Sequence, residues 1–158
     1  MRILVFSDSH QDVQALSKLL QDVDRYDKVV FCGDGLEYVL EYRDLYPKKF
    51  EIVRGNCDDV WGPEAITFFA GGVKFFVAHG HRYGVRTRLD MLASTAIAND
   101  CRIALYGHTH VADATMTPEG VLCINPGALS GPKDRVGYCE LLVEGSTFSY
   151  NFRKLNDL

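Results

Sequence analysis

The chain has 158 residues, of which 47% are hydrophobic and 24% are charged, and its formal net charge is −4. This composition excludes disordered, collagen-like and coiled-coil chains and predicts one globular domain over residues 1–158. The negative charge argues against a general nucleic-acid binder, and no apolar run reaches the roughly 20 residues that span a bilayer.

The first third of the chain alternates between two kinds of apolar pattern. Short continuous apolar runs predict strands over 2–7, 28–32 and 51–54. Apolar residues at three- and four-residue spacing predict helices over 13–23 and 36–45. This alternation is typical of a parallel sheet with crossover helices.

The pattern changes beyond residue 56. Two predicted strands flank Gly71-Gly72, which is a hairpin signal. A third helix is predicted over 89–97. The remaining runs predict strands over 65–70, 73–79, 102–106, 112–116, 121–125, 137–143 and 147–152. We therefore expect an α/β fold that is parallel in its first half and more antiparallel in its second.

Side chains that bind metal ions follow five of the predicted strands. These side chains belong to Asp8 and His10, Asp34, Asn56, His79, and His108 with His110. All five histidines of the chain, His81 included, lie near such a strand end beside Gly or Asp. Because ligands of open α/β sheets bind at the carboxyl ends of strands, we expect these side chains to converge.

This donor set indicates a particular kind of metal site. Two Asp, one Asn and four His suit Mn, Fe, Zn, Ni or Mg better than a metal that prefers thiolates. Seven donors are more than one tetrahedral ion can bind, and they fit two ions that share a carboxylate. We expect the pairs Asp8-x-His10 and His108-x-His110 to lie in extended backbone, where both side chains point the same way. Two ions about 3.5–4 Å apart clamp the attacking and leaving oxygens of a phosphoryl displacement.

Other chemistries lack their motifs. The chain has no phosphate-binding loop, no dinucleotide fingerprint and no H-E-x-x-H segment. Ser130 stands one place too late for a nucleophile elbow, and no arginine follows Cys57 at the spacing of a cysteine phosphatase. The five cysteines form no C-x-x-C pair, and the first apolar run is too short for a signal peptide. We therefore expect a cytoplasmic protein with reduced thiols and no membrane partner.

Five short motifs resemble, in order and spacing, the blocks of the calcineurin-like metallophosphoesterases. The motifs are Asp8-x-His10, Gly33-Asp34, Gly55-Asn56-Cys57-Asp58, His79-Gly80-His81 and Gly107-His108-Thr109-His110. They are most similar to the YfcE-type phosphodiesterase branch. The resemblance implies a two-sheet α/β sandwich flanked by helices. It also implies a dinuclear, metal-dependent phosphodiesterase in which a metal-bridging hydroxide attacks phosphorus in line.

The resemblance also implies a role for each position. Asp8, His10 and His110 would hold the first metal ion. Asn56, His79 and His108 would hold the second, and Asp34 would bridge the two. Manganese is the expected ion, with Zn, Fe, Ni or Mg as alternatives. The residues expected at the reacting centre are Asp34, Asn56, His81 and Asp58, where His81 contacts substrate or holds His79, and Asp58 orients a ligand or receives a proton.

One position departs from many relatives. Cys57 stands where they carry a histidine that is the proposed proton donor to the leaving group. A thiol beside two cations tends toward thiolate, which is a poor acid. We therefore expect a small phosphodiester substrate, with a nucleic acid only as a short substrate. A phosphomonoesterase or nucleotidase and a non-catalytic Vps29-like scaffold are the alternatives, and the chain's size permits a homo-oligomer.

Overall fold

The computed structural model describes residues 1–158 and contains ten strands and three α-helices. The strands are β1 Arg2–Phe6, β2 Lys28–Phe31, β3 Phe50–Ile52, β4 Ala65–Ala70, β5 Val73–Ala78, β6 Ile103–Leu105, β7 Ala112–Met116, β8 Leu122–Pro126, β9 Gly137–Glu144 and β10 Thr147–Lys154. The helices are α1 Val13–Leu20, α2 Leu36–Leu45 and α3 Asp90–Ala98. None of them combines the length and the apolar character that crossing a membrane requires.

The strands form two five-stranded sheets that pack face to face. The first has the order β10-β9-β1-β2-β3 and the second the order β4-β5-β6-β8-β7. One apolar core lies between the sheets, a second lies under α1 and α2, and a third lies under α3. The predicted two-sheet α/β sandwich flanked by helices is confirmed.

Strand β1 is apolar at each position from Ile3 to Phe6, and its place between two cores explains why. Ile3 and Val5 point into the core between the sheets, whereas Leu4 and Phe6 point into the core under the helices. All four side chains are fully buried. A strand covered on both faces has no solvent side, so its sequence lacks the alternation of a half-exposed strand.

The second half of the chain is more antiparallel than the first, as expected, but the second sheet also contains parallel pairs. β4 and β7 do pair antiparallel with their neighbours, but β5 pairs parallel with β6, and β6 pairs parallel with β8. The physical reason is that α3 is a crossover helix between β5 and β6. The two sheets therefore contribute parallel strands whose carboxyl ends meet at one edge of the sandwich.

Helix α1 ends earlier than its apolar pattern predicted. Its N-terminus is capped by Asp12, whose Oδ1 accepts a hydrogen bond of 2.9 Å from the Ala15 N–H. The helix stops at Leu20, and Val23 packs into the same core from a separate 3-10 turn, Val23–Arg25. The apolar spacing therefore continued across two short elements that share one buried face.

Candidate metal centre

The seven predicted ligands all lie in loops that follow β1, β2, β3, β5 and β6. Five of them adopt backbone with positive φ, which non-glycine residues rarely do. Asp100 is the one other non-glycine residue with positive φ. The five ligands and their φ angles are Asp8 53°, His10 46°, Asp34 63°, His108 69° and His110 62°. Such backbone costs about 1–3 kcal/mol per residue and clusters at functional sites.

The expectation that the pairs Asp8-x-His10 and His108-x-His110 lie in extended backbone is wrong. Residues in an extended segment would have strongly negative φ, whereas both members of each pair are left-handed. The Asp8 and His10 side chains nonetheless meet, because tight turns after β1 fold both toward His110. The convergence therefore comes from turns and not from strand periodicity.

Asp8, His10 and His110 form the first group of donors. Nε2 of His110 lies 3.1 Å from Asp8 Oδ1 and 3.3 Å from Nε2 of His10. Asp8 is fully buried, and its Oδ2 accepts a hydrogen bond from the His108 N–H at 3.0 Å, but its Oδ1 has no hydrogen-bond partner. Nε2 of His110 lies near Oδ1 without hydrogen-bonding geometry. A buried, unpartnered carboxylate oxygen among imidazole nitrogens fits a cation.

Asp34, Asn56 and His79 form a second, adjoining group. Nδ1 of His79 donates to the carbonyl of Cys32 at 2.7 Å, because that oxygen can only accept. In a neutral ring, Nε2 then carries a lone pair, yet it faces Asn56 Oδ1 at 3.1 Å and Asp34 Oδ2 at 3.3 Å. Three acceptors so arranged require a proton or a cation between them.

The pKa values of this group point to the same conclusion. Burial alone would lower the pKa of His79, but Asp34 and Asp8 raise it above its ordinary value. Burial alone would raise the pKa of Asp34, but hydrogen bonds with His79 and with the Cys57 N–H hold it well below its ordinary value. A field that stabilises a proton on His79 also stabilises a metal ion at the same place.

His108 lies beside this group, with its ring centroid 5.1 Å from that of His79. Its Nε2 accepts a hydrogen bond of 3.0 Å from Nε of Arg86, and its carbonyl lies 3.4 Å from Nη2 of the same guanidinium. Burial, together with His79 and Arg86, lowers the pKa of His108 to about 4. The sequence analysis missed Arg86, since a basic loop residue between motifs carries no signal of its own.

Asp58 lies behind the proposed ligands, and each of its carboxylate oxygens accepts two hydrogen bonds from backbone N–H groups. Its Oδ1 accepts from the N–H groups of Gly35 at 2.7 Å and Leu36 at 2.9 Å. Its Oδ2 accepts from those of Asp34 at 2.9 Å and Gly55 at 2.7 Å. Asp58 therefore ties the loop after β2 to the loop after β3 and fixes the backbone that carries Asp34.

His81 and the nearby arginines surround Glu64 at the rim. Arg82 Nε lies 3.4 Å from the Glu64 carboxylate, and Arg54 Nε lies 4.0 Å from it. Arg54 also donates to the carbonyl of Asp58 at 2.7 Å, as a structural arginine would. His81 Nε2 is 3.9 Å from Glu64, and His81 Nδ1 is buried without a hydrogen-bond partner.

The histidine loop after β6 is held by its neighbours. Asn125 donates to the carbonyl of Gly107 at 2.8 Å and to Thr109 Oγ1 at 2.9 Å. A Cβ at Gly107 would overlap Ser7 Oγ and would come within 2.7 Å of Asp8 Oδ2. Only glycine permits this approach, which brings the loop after β6 against the loop after β1.

A polar pocket of about 370 Å³ adjoins the donors. It is lined by His10, Gln11, Gly35, Glu37, Tyr38, Cys57, Asp58, Asp59 and Val60. Cys57 is exposed on its wall, and burial together with the Asp34 carboxylate raises the pKa of the Cys57 thiol. A larger groove of about 630 Å³ lies elsewhere, near Phe69 and Phe148, and contains none of the predicted ligands.

Sequence comparison assigns the chain to a family. The profile of the calcineurin-like phosphoesterase superfamily domain matches residues 1–147. The chain belongs to the calcineurin-like phosphoesterase superfamily. It is also 29% identical over 158 residues to the probable metallophosphoesterase YsnB of Bacillus subtilis (strain 168), covering 96% of this chain and 90% of that protein. The resemblance stated on the motifs is therefore confirmed.

Two solved structures share the fold at lower identity. A novel archaeal phosphodiesterase is 22% identical with a TM-score of 0.73 and covers 97% of this chain and 100% of its own. Wild-type Vps29 of Entamoeba histolytica, complexed with Zn²⁺, is 21% identical with a TM-score of 0.73 and covers 99% of this chain and 100% of its own. A phosphodiesterase and a Vps29 protein thus share this fold, so the function of this chain must be argued from its site.

Proposed function

We propose that the protein is a metal-dependent phosphoric diester hydrolase with two divalent ions at the edge where the strand ends meet. The observation that carries the proposal is the buried Asp8 Oδ1, unpartnered among imidazole nitrogens, beside the acceptors of Asp34, Asn56 and His79. One superfamily domain accounts for nearly the whole chain, so we treat residues 1–158 as one unit.

We assign Asp8, His10 and His110 to the first ion and Asn56, His79 and His108 to the second, with Asp34 between them. A bridging role for Asp34 is supported because its carboxylate belongs to two groups of possible ligands, one with His10 and Cys57 and the other with Asp8 and His79. Manganese is the proposed ion, since imidazole and carboxylate donors without thiolate suit it. Bound divalent ions lower the pKa of water and neutralise phosphoryl oxygens.

The chain's own residues position these ligands. The Cys57 N–H holds Asp34 Oδ1 at 2.8 Å and leaves Oδ2 directed at His79. The Cys32 carbonyl fixes the ring of His79. We propose that Asp58 acts by positioning this backbone, because all its acceptor capacity is used. His81, whose ring lies beside those of His79 and His108, is the proposed substrate contact at the rim.

Cys57 favours diesters with good leaving groups over monoesters. A thiol beside two cations tends toward thiolate, so Cys57 is a poor proton donor to the leaving group. The polar pocket beside Cys57 accepts a small substituent on the second ester oxygen. The proposed substrate is therefore a small phosphodiester.

The proposed location is the reducing cytoplasm, which is supported by the five free cysteines.

The test compares a diester with a monoester. Chelator-stripped protein receives manganese, and hydrolysis of bis(p-nitrophenyl) phosphate is measured beside that of p-nitrophenyl phosphate. We expect metal-dependent cleavage with faster turnover of the diester. Faster turnover of the monoester would favour a phosphomonoesterase. No turnover by protein that binds two ions would favour a scaffold of the Vps29 kind.

A further inference from the structure

Arg86 differs from the other arginines near the site. Arg54 and Arg82 pair with Glu64, and Arg88 lies 3.1 Å from Asp90. Arg86 has no carboxylate within 4.0 Å, and its guanidinium instead donates to His108 through Nε at 3.0 Å. A guanidinium carries five N–H donors and no acceptor, so this contact leaves most of its donors free.

The loop between His81 and α3 holds Arg86 in this position. Val85, next to it, is buried and packs so closely on Gly80 that a Cβ there would come within 2.7 Å of it. On the other side, the carbonyl of Gly84 accepts from the N–H groups of Thr87 at 3.0 Å and Arg88 at 3.2 Å. Arg86 thus projects from an anchored turn over the edge where the ligands meet.

The bond to His108 competes with metal binding at the same ring. Since Arg86 can only donate, Nε2 of His108 is the acceptor, and the neutral ring then carries its hydrogen on Nδ1. A metal ion bound at Nε2 would take the lone pair that Arg86 uses. A metal ion bound at Nδ1 would move the hydrogen to Nε2, which could then no longer accept.

We propose that Arg86 is a phosphate-anchoring residue that His108 holds until a metal ion takes the histidine ring. This proposal rests on the proposed function and names a substrate contact for it. Once His108 binds metal, Arg86 loses the acceptor of its Nε and keeps only the 3.4 Å contact of Nη2 with the His108 carbonyl. Phosphoryl oxygens match the forked donors of a guanidinium, so the substrate supplies the replacement.

Removing Arg86 should change the affinities for manganese and for phosphate in opposite directions, because Arg86 contacts His108 before metal binding and phosphate after it. In R86A the metal ion no longer displaces a hydrogen bond, so manganese should bind the site that includes His108 about three- to tenfold tighter. Inorganic phosphate should bind the manganese-loaded variant about tenfold or more weakly, because charge-assisted hydrogen bonds are lost. A loop anchor without these partners would weaken both affinities or neither.

The experiment measures both affinities by calorimetry without turnover. Manganese is titrated into metal-free protein, and inorganic phosphate into loaded protein freed of excess ion. R88A is the matched control, because Arg88 lies on the same loop and pairs with Asp90, and it should match wild type. R86K, which keeps the charge but loses the fork, should bind phosphate with intermediate affinity and also serves if R86A misfolds.

Opposite changes in R86A and none in R88A would support the proposal. Unchanged or weaker manganese binding in R86A, or unchanged phosphate binding, would overturn it. A wild-type protein that binds both probes but cleaves no diester would count against the proposed function alone, because neither readout depends on turnover.

Discussion

At the scale of single residues, the site is a set of oxygen and nitrogen lone pairs that the chain does not satisfy by itself. Asp8 Oδ1 and His81 Nδ1 are buried without hydrogen-bond partners, and His79 Nε2 faces acceptor oxygens. An unsatisfied buried polar atom costs about 1–3 kcal/mol, so the protein retains them at a cost in stability. We expect cation binding to recover the part of that cost that falls on the proposed metal ligands.

Asp34 offers the clearest single-residue test. D34N keeps the shape of the side chain and an oxygen to accept the Cys57 N–H, but it removes the charge facing His79. Mutation of a residue that only supports a metal ligand typically lowers metal affinity or activity by about 10–100-fold. Loss of Asp34, a proposed ligand itself, should therefore lower diester turnover by more than about 100-fold. Bound manganese per chain should also fall, as elemental analysis would measure.

The control for D34N is D44N, since Asp44 is exposed at the end of α2 and pairs only with Arg43. D44N should behave as wild type. Full activity of D34N with manganese added back would rule out the bridging assignment.

Cys57 tests the choice between diester and monoester. In C57H an imidazole stands on the wall of the polar pocket beside Asp34, where it can protonate a poor leaving group. The ratio of monoester to diester turnover should rise by about tenfold or more, as general acid catalysis implies. C57S is the matched control without a proton donor of suitable pKa, and an unchanged ratio in C57H would remove the proton-donor argument.

At the scale of elements, the site depends on loops tied to one another rather than on the strands. Helix α2 begins after Gly35, which has no side chain to cap it. Asp58, from the loop after β3, accepts the first N–H groups of this helix instead. A carboxylate at a helix N-terminus is also favoured by the helix dipole.

Removing this tie should loosen both the fold and the site. D58A leaves the N–H groups of Asp34, Gly35, Leu36 and Gly55 without their acceptor, so urea titration should show a loss of about 3 kcal/mol in the free energy of unfolding. Manganese affinity should fall as well, because Asp34 is no longer fixed.

D59A is the neighbouring control, since Asp59 is exposed and makes no recorded hydrogen bond or ion pair. D59A should unfold like wild type. A D58A protein as stable as D59A would show that water replaces the four contacts and would refute the positioning role.

At the scale of the whole molecule, the candidate ions connect the two sheets. Asp8, Asp34 and Asn56 follow strands of the first sheet, whereas His79 and His108 follow strands of the second. The sheets otherwise meet through the apolar core between them. The proposed ligands from both sheets lie together only in the folded chain, so we expect metal binding to be coupled to folding.

Manganese should therefore raise the thermal stability of the protein. An ion at 100 times its dissociation constant adds about 2.7 kcal/mol, which raises Tm by about 5–10 °C for a chain of this size. Scanning calorimetry with manganese, against chelator at equal ionic strength, measures the shift. D34N should show a much smaller one, and an equal shift in both proteins would place the ions elsewhere.

The sequence by itself determined the order of the elements and which residues are candidate donors. β1 and β2 are apolar because both of their faces are buried, and this character is visible in single residues. Asp, Asn and His at the ends of strands likewise need no partner to be recognised. Both features are local, so neighbouring residues specify them.

The tertiary structure alone decided how these parts meet. The parallel pairing of β5 with β6, the left-handed turns at Asp8 and His108, and the contact of Arg86 with His108 all depend on segments distant in sequence. The sequence predicts that Asp58 orients a ligand or receives a proton, and only the packed loops bring four backbone donors to its carboxylate. Such contacts arise only when the loops pack, because their free energy comes from groups that the chain places together after folding.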